Sequence, residues 1–257
     1  LILYCLKKMK KRNNDVFQYY EFSRKNKKKR EVLFICDHAS KKIPKSFKNL
    51  GLKKKEVKSH IGWDIGTKKL TLNLAEKLES SCYFSNFSRL IIDPNRKISD
   101  LDLIPQRSFG TKIPFNKKIS DNEKNLRIKN YYNIYHENLK KIIKEKLENS
   151  SELHLISIHS FTKYSKNFNR PNEVGLLWNK DISIMLHLKK KLIQKKINVG
   201  CNKPYSGFFY NHTLDYHSQK NKIKNLSIEI RNDLICDKKG IIKWCNVLME
   251  PLKDFQD

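Results

Sequence analysis

The chain has 257 residues, of which 39% are hydrophobic and 11% aromatic, so it is long enough and apolar enough to bury one large core. Its 54 Lys and Arg outnumber its 26 Asp and Glu, and a formal net charge of +28 ordinarily suggests a nucleic acid or an anionic membrane as partner. The lysines are spread over every predicted surface helix, and the sequence lacks an RNP-type strand, a zinc-finger spacing and a long basic tail, so we expect no specific nucleic-acid partner.

The cysteines and the first residues indicate where the chain works. Six cysteines occur without a CxxC pair or a regular spacing, which predicts free thiols in a reducing, cytoplasmic setting. The apolar start LILYCL is too short to cross a membrane, and its basic residues follow the apolar ones where a signal peptide would place them first. We expect residues 1–30 to form a basic N-terminal extension, with Met9 as a candidate start of translation.

Strand-like and helix-like segments alternate along the rest of the chain. The predicted strands are 32–36, one or two strands within 82–93, then 153–160, 174–179, a short piece near residue 199, and 225–230. The predicted amphipathic helices cover roughly 65–79, 123–148 and 181–196, followed by a closing helix, and 97–121 is predicted as a loop. The alternation predicts an α/β fold with a mixed, mostly parallel sheet. No repeat or linker divides the chain, so we expect one domain over 31–257.

Two predicted strands end on a histidine. LFICDHAS places His38 just after the first strand, and LISIHS places His159 at the end of another. One such histidine is more often structural than a ligand, but open α/β sheets place ligands at the carboxyl ends of their strands, where two can converge. A zinc site needs a third ligand, often a carboxylate, and an open position for water. GWDIG supplies Asp64, whose alternative interpretation is a helix N-cap.

Charged residues within or after the other apolar runs are further candidates. NLSIEIR places Glu229 inside a strand with Arg231 on the same face, so Glu229 is either a general base or the partner of an ion pair with an arginine. SRLIIDPNR adds Arg89 and Arg96, which suit recognition of a substrate carboxylate or stabilisation of an oxyanion. The alternative for these arginines is a structural ion pair with Asp93.

Eight motifs along the chain resemble those of one family. CDHAS, GWDIG, SRLIIDPNR, YYNIYHENL, SIHSFT, RPNEVGLLWNKD, NKPYSG and LSIEIRNDLI occur in the order found in the N-formylglutamate amidohydrolases, from about residue 30 to 237. The resemblance implies a zinc-carboxypeptidase-like α/β fold, a three-layer sandwich of the phosphorylase/hydrolase-like kind. It also implies hydrolysis of a small anionic N-acyl amino acid, such as N-formyl-L-glutamate, by a metal-bound water.

The resemblance assigns roles to residues that match the family's motifs. His38, His159 and Asp64 would hold one Zn²⁺ per chain, and Glu229 would be the general base. If Asp64 is only an N-cap, Asp37 is the next candidate for the acidic ligand. The remaining assignments are Asn95 and Arg96 as the grip on the substrate α-carboxylate and Arg89 as an oxyanion donor. We also expect Arg231 and His136 around the substrate, and the alternative for His136 is a helix histidine that faces the core.

The sequence departs from the family pattern at several positions. The related carboxypeptidases place their acidic ligand three residues after the first histidine, where this chain has Lys41. Lys163 and Asn172 replace the usual proline and aromatic residue in a segment that could touch the substrate, which leaves the acyl specificity open. The alternatives are a zinc hydrolase of another N-acyl or peptide bond, and a basic nucleic-acid-binding protein without catalysis. The sequence is compatible with a monomer or a homo-oligomer.

Overall fold

The computed structural model describes residues 9–22, 30–165, 168–219 and 222–255. Within these ranges the chain forms twelve strands, eight of them in one large sheet and four in two small hairpins. The strands are β1 (Met9–Asn13), β2 (Phe17–Phe22), β3 (Arg30–Cys36), β4 (Ser81–Ser85), β5 (Arg107–Ser108), β6 (Thr111–Lys112), β7 (Glu152–Phe161), β8 (Tyr164–Ser165), β9 (Phe168–Asn169), β10 (Val174–Leu177), β11 (Val199–Cys201) and β12 (Lys224–Arg231).

The large sheet has a parallel centre and antiparallel additions on both sides. Its strand order is β1-β2-β4-β3-β7-β12-β10-β11. Strands β4, β3, β7 and β12 run parallel, whereas β2 joins β4, β1 joins β2 and β10 joins β12 in the antiparallel sense. Strand β11 is parallel to β10. The prediction of a mixed, mostly parallel sheet is therefore confirmed.

The described helices cover both faces of this sheet. They are α1 (Lys54–Lys58), α2 (Thr67–Lys77), α3 (Asp121–Arg127), α4 (Ile134–Asn149), α5 (Ser183–Gln194), α6 (Gly207–Tyr210), α7 (His212–Ser218) and α8 (Lys238–Lys253). A π-helical segment, Ile128–Asn133, joins α3 to α4 within the single helix that the sequence predicts, and short 3₁₀ segments lie at Lys45–Gly51, Pro114–Asn116 and Asn232–Leu234. No described helix is both long and apolar enough to span a bilayer.

Strand β3 shows how the sheet separates two apolar layers. Successive side chains of a strand point to opposite faces, and Phe34 belongs to the cluster that includes residues of α2, α5 and α8. Leu33 and Ile35 belong to the second cluster, with residues of α4 and α7. Because both faces are covered, the strand is a continuous apolar run. Helices, sheet and helices thus form the predicted three-layer sandwich.

The first strands lie inside the range that the sequence sets apart as an extension. Within residues 1–30, β1 and β2 extend the main sheet, and Tyr19 is fully buried. Phe17 and Tyr19 pack with the apolar cluster around α4, which outweighs the basic character of β1. The domain therefore begins earlier in the described chain than predicted, while residues 1–8 and 23–29 lie outside the described ranges.

The segment after β4 is buried without being a strand. The sequence predicts strand structure as far as residue 93, but β4 ends at Ser85 and Ile91 lies in the core. Side chains, and not a neighbouring strand, bind the carbonyl groups of this segment. Arg127 donates to the carbonyl of Ile91 at 2.9 Å, and Asn116 donates to that of Leu90 at 2.8 Å. The predicted loop over 97–121 contains the small hairpin β5–β6.

Candidate metal centre and substrate cavity

Two histidines meet at the carboxyl edge of the parallel strands. Strands β3 and β7 are parallel neighbours, so the two chain ends that follow them lie at the same edge of the sheet. His38 follows β3 and His159 lies near the end of β7, with their ring centroids 5.0 Å apart. The backbone N–H of Asp64 donates to the carbonyl of His38 at 2.9 Å, which brings the start of α2 to the same point.

The side chains of His38, Asp64 and His159 form a buried donor set. Asp64 Oδ2 lies 2.9 Å from His159 Nδ1 and 3.5 Å from His38 Nδ1. The ligand atoms of the three residues lie within 4.8 Å of one another, and they form the candidate metal-holding group found among the described residues. Two imidazoles and a carboxylate are donors that Zn²⁺ accepts. The predicted alternative role of Asp64 is wrong, because the N-cap residue of α2 is Gly66.

A second carboxylate stands behind each histidine. His38 Nε2 lies 2.7 Å from Asp93 Oδ1, and His159 Nε2 lies 3.3 Å from Asp37 Oδ2 and 2.9 Å from Ser157 Oγ. Each Nδ1 atom is thereby turned toward Asp64. Carboxylates that hold the outer nitrogen of metal-binding histidines are a regular feature of such sites, so this arrangement fits a metal centre.

Asp37 is itself held by a network of hydrogen bonds. The hydroxyl groups of Tyr135 and Thr213 donate to Asp37 Oδ1 at 2.9 and 2.8 Å. Burial opposes its ionisation, but the interactions with His159 and Thr213 outweigh burial and lower the pKa of Asp37 to about 2. An ionised carboxylate at this place can orient the His159 ring, so the geometry gives Asp37 a supporting position behind a ligand.

Glu229 lies beside the donor set, and one oxygen of the Glu229 carboxyl group has no hydrogen bond among the described residues. Strand β12 runs parallel to β7 and pairs Glu229 with His159. The side chain is buried, and Oε2 has no hydrogen-bond partner among the described residues. Burial and the charge of Asp64 raise the pKa of Glu229 to about 7, against the opposing effect of His159. A carboxylate with this pKa in a cleft is suited to accept a proton near neutral pH.

Arg231 does not reach this site. The sequence placed it on the same face as Glu229, as an ion-pair partner or a substrate-binding residue. In the structure its guanidinium binds Asp233, with 2.8 Å from Nε to Oδ1. It is not among the residues that line the cavity beside the donor set. The strand ends at Arg231 and the following 3₁₀ turn presents Asp233 to it, so the alternation of side chains no longer decides its direction.

Arg89 faces the donor set and is also held in place. Its Nη1 atom lies 3.3 Å from His38 Nδ1 and 3.6 Å from Asp64 Oδ1, and its Nη2 atom lies 3.1 Å from Asp93 Oδ2. The ion pair with Asp93, which the sequence offered as an alternative, is therefore present. The same position leaves the guanidinium in the wall of the cavity beside the donor set.

A cavity of about 340 Å³ opens over the donor set, and Glu229 contributes to its wall. Its further lining includes His60, Asn95, Arg96, Arg107, Arg170 and Tyr205. Ligand pockets for small molecules begin at about this size. Lys163 and Asn172 do not line it, so the departures from the family pattern at these positions lie away from the cavity wall.

Asn95 and Arg96 both line the cavity, but they differ in how far their polar groups are engaged. Asn95 donates to the carbonyl of Tyr210 at 2.8 Å and accepts from the N–H of Thr213 at 2.9 Å, which joins the end of α6 to the start of α7. Arg96 Nε donates to Asp102 at 2.8 Å, and its guanidinium lies over the ring of Tyr210. Arg96 is therefore the better placed of the two to bind a ligand.

His136 lies behind the cavity wall and does not line it. Its Nε2 atom lies 3.0 Å from the carbonyl oxygen of Pro94, and its Nδ1 atom lies 3.0 Å from His217 Nε2. Burial and the neighbouring His212 lower the pKa of His136 to about 4, so the ring is neutral at pH 7. It supports the segment that carries Asp93, Asn95 and Arg96, and does not touch the space for a substrate.

Some residues of the cavity had no role from the sequence. Arg170 and Tyr205 lie in two of the motifs quoted above, RPNEV and NKPYSG, but nothing in the local pattern distinguishes them from structural residues. Asp93 appeared only as a possible ion-pair partner, although it holds both His38 and Arg89. The sequence could have indicated these residues only through the motifs that contain them, because the residues they contact are distant in sequence.

Fold and site together define a class: α/β proteins with a candidate mononuclear metal centre at the carboxyl edge of a mixed sheet. A sequence profile described as N-formylglutamate amidohydrolase matches residues 30–236. The chain therefore belongs to the N-formylglutamate amidohydrolase family, and the resemblance seen in its motifs is confirmed. Membership supports an enzyme of the amidohydrolase type over a nucleic-acid-binding protein without catalysis. Among curated proteins, none matches the chain in sequence.

Two solved structures are similar over nearly the whole chain. A gene product from Agrobacterium tumefaciens shares 28% sequence identity at a TM-score of 0.86, with 95% of this chain and 97% of that chain covered. An N-formylglutamate amidohydrolase from Ralstonia eutropha shares 15% identity at a TM-score of 0.77, with 95% and 99% covered. The second similarity is one of fold, because its sequence identity is low.

Proposed function

We propose that this protein hydrolyses the amide bond of a small anionic N-acyl amino acid, most directly N-formyl-L-glutamate to formate and L-glutamate, with one Zn²⁺ per chain. The observation that carries the proposal is the convergence of three metal donors with Glu229, a buried carboxyl of raised pKa and an unbonded oxygen, at one cavity. The family to which the chain belongs supports the reaction type.

The ligands in this proposal are His38, Asp64 and His159. Their Nδ1 and carboxylate atoms converge, and the carboxylates of Asp93 and Asp37 hold the outer nitrogens of the two imidazoles. A Zn²⁺ ion bound there would supply Lewis acidity, which polarises an acyl carbonyl and lowers the pKa of water to about 7. The free thiols among the described cysteines support a reducing compartment, in keeping with the cytoplasmic expectation.

Glu229 is the proton carrier in this mechanism. Its carboxylate accepts a proton from the attacking water and can return that proton to the nitrogen of the leaving amino acid, since burial raises its pKa above the ordinary range of a glutamate. Arg89 donates hydrogen bonds to the oxygen of the former carbonyl as negative charge develops there. Asp93 holds the guanidinium in position at 3.1 Å, so little rearrangement is needed during the reaction.

Arg96 binds the α-carboxylate of the substrate in the proposal. A guanidinium can make two parallel hydrogen bonds to a carboxylate, and Arg96 is held toward the cavity by Asp102 and by the ring of Tyr210. Asn95 contributes by holding Tyr210 at the end of α6. The small cavity favours a compact acyl group, and longer acyl groups or peptides are the alternatives that a substrate panel decides.

The test combines metal analysis with a substrate panel. Purified protein is expected to retain about one Zn²⁺ per chain, and to hydrolyse N-formyl amino acids faster than the N-acetyl and N-succinyl compounds. His159→Ala is expected to lose zinc and activity together. His154→Ala is a matched control on the same strand, because His154 is also buried but pairs with Glu152 at the other end of β7. A zinc-replete, active His159→Ala protein would contradict the ligand assignment.

A further inference from the structure

The arginines that line the cavity differ in how their charges are balanced. Arg89 has Asp93 and Asp64 within 4.0 Å, and Arg96 has Asp102. Arg170 has no carboxylate within 4.0 Å of its guanidinium among residues 9–22, 30–165, 168–219 and 222–255, although only 8% of the residue is exposed. Buried charges are normally paired, because an ion that is removed from water without a counter-charge is costly.

The contacts of Arg170 hold it in place without neutralising it. Its Nη1 atom donates to the carbonyl of Thr162 at 3.2 Å and to the hydroxyl of the same residue at 3.3 Å. Its guanidinium lies over the ring of Tyr205, 5.0 Å from the centroid. Carbonyl, hydroxyl and aromatic ring are neutral groups. The positive charge of Arg170 therefore faces the cavity, and none of the described residues supplies a carboxylate that compensates it.

Tyr205 connects this arginine to the rest of the site. Burial and the charge of Glu229 raise the pKa of the Tyr205 phenol, and Arg170 acts in the opposite direction, so the phenol lies in the field of both groups. It stays protonated at neutral pH and can donate a hydrogen bond. Its ring centroid lies 5.5 Å from that of Tyr210, over which Arg96 is placed. Arg170 and Arg96 thus both line the cavity, and the rings of Tyr205 and Tyr210 lie between them.

We propose that Arg170 and Tyr205 form a subsite for the side-chain carboxylate of an acidic N-acyl amino acid, and that this subsite determines specificity. The inference rests on the proposed function, in which Arg96 binds the α-carboxylate that every amino acid carries. A neutral side chain at the subsite would leave the guanidinium of Arg170 buried and unpaired, whereas a carboxylate compensates it. The subsite therefore selects by rejecting neutral side chains as much as by binding acidic ones.

The experiment measures binding and turnover separately. Calorimetry with zinc-loaded protein compares L-glutamate with L-glutamine, which has the same shape without the charge, and hydrolysis assays compare their N-formyl derivatives. We expect the wild type to prefer the acidic member of each pair, and Arg170→Gln to lower affinity and kcat/KM for that member by about 10- to 100-fold, the range for a hydrogen-bonded charge. Values for the neutral member are expected to stay the same or to rise, because Arg170→Gln removes the unpaired charge that a neutral side chain would meet.

Two further variants separate the subsite from general effects. Arg107 also lines the cavity but is exposed to solvent, so Arg107→Gln removes an arginine from the rim and is expected to keep the preference. Arg170→Lys retains the charge without the planar fork and is expected to restore the preference only in part, which also serves if Arg170→Gln folds poorly.

The outcomes distinguish the subsite from the reaction. Equal losses for acidic and neutral ligands in Arg170→Gln, or a preference that survives in this variant, would overturn the subsite. The subsite would also be overturned if Arg107→Gln removes the preference, or if the wild type binds L-glutamate and L-glutamine equally well. A wild type that binds L-glutamate selectively through Arg170 but does not hydrolyse any N-acyl derivative would instead overturn the proposed function and leave the subsite supported.

Discussion

Replacement of Glu229 by Gln separates the chemical step from binding. The substitution keeps the shape of the side chain but removes its ability to accept a proton, while the metal donors and Arg96 are untouched. Removal of a general base typically costs about 10² to 10⁴ in rate. We expect kcat to fall within that range while zinc content and KM stay near those of the wild type, because the base acts only on the water.

The same substitution has a predicted effect on stability. The pKa of Glu229 is raised from 4.5 to about 7, so the folded protein holds this proton more tightly than the unfolded chain does. Stability is therefore lost as the pH rises from about 4.5 to about 7, and the ionised group then costs about 3 kcal/mol. In metal-free protein, Glu229→Gln is expected to be more stable than the wild type at pH 8, with the difference vanishing at pH 4.

Steady-state kinetics and urea denaturation measure these two effects. Glu173→Gln is a suitable control, because Glu173 lies beside β10 and accepts a hydrogen bond from the N–H of Asn198 away from the cavity. Near-normal kcat in Glu229→Gln would refute the assignment of the base. A variant that is less stable than the wild type at pH 8 would show that Glu229 forms a structural ion pair, contrary to the interpretation of its raised pKa.

Four further changes test other parts of the account. kcat/KM is expected to fall as the pH drops below about 7, because protonated Glu229 cannot accept a proton. A bound cation can only move the midpoint of this fall to lower pH. A rate that rises toward pH 5 would exclude Glu229 as the base. Asp64→Asn is expected to weaken zinc affinity, measured by competition with a chelator, and unchanged affinity would remove Asp64 from the set of ligands. Arg96→Ala is expected to raise KM more than it lowers kcat, with partial rescue by Lys, whereas a loss confined to kcat would remove Arg96 from ground-state binding. Lys146→Ala leaves the carboxylates of Glu21 and Glu31 without their buried partner. The substitution is expected to reduce the unfolding free energy by about 3 kcal/mol, the lower end for the loss of a buried ion-pair partner, because both carboxylates keep some exposure. A change below about 1 kcal/mol in urea denaturation would contradict this expectation.

The sequence predicted the part of the site that follows from strand ends. His38 and His159 come at the ends of apolar runs, and parallel neighbours must bring such ends together, so their convergence needed no knowledge of distant contacts. Glu229 was predicted for a related reason, because a carboxylate inside an apolar strand is unusual. Arg231 was placed by the same alternation, which fails once the strand ends in a 3₁₀ turn.

Other features depended on contacts that sequence periodicity does not contain. The uncompensated charge of Arg170 becomes visible only when the burial of its side chain and the positions of surrounding carboxylates are known. The segment around Ile91 has the apolar pattern of a strand, yet Arg127 binds its carbonyl from a helix far along the chain. Strand β2 was hidden in a basic region, although Tyr19 packs in the core.

We propose that zinc held by His38, Asp64 and His159 supports hydrolysis of an N-acyl amino acid. The most direct test of this proposal is the release of formate from N-formyl-L-glutamate by zinc-loaded protein, by the same protein after removal of metal with a chelator, and after zinc is restored. We expect formate release that stops with chelation and returns with about one equivalent of Zn²⁺ per chain. Absence of formate release from the zinc-loaded protein, or release that chelation does not change, would contradict it.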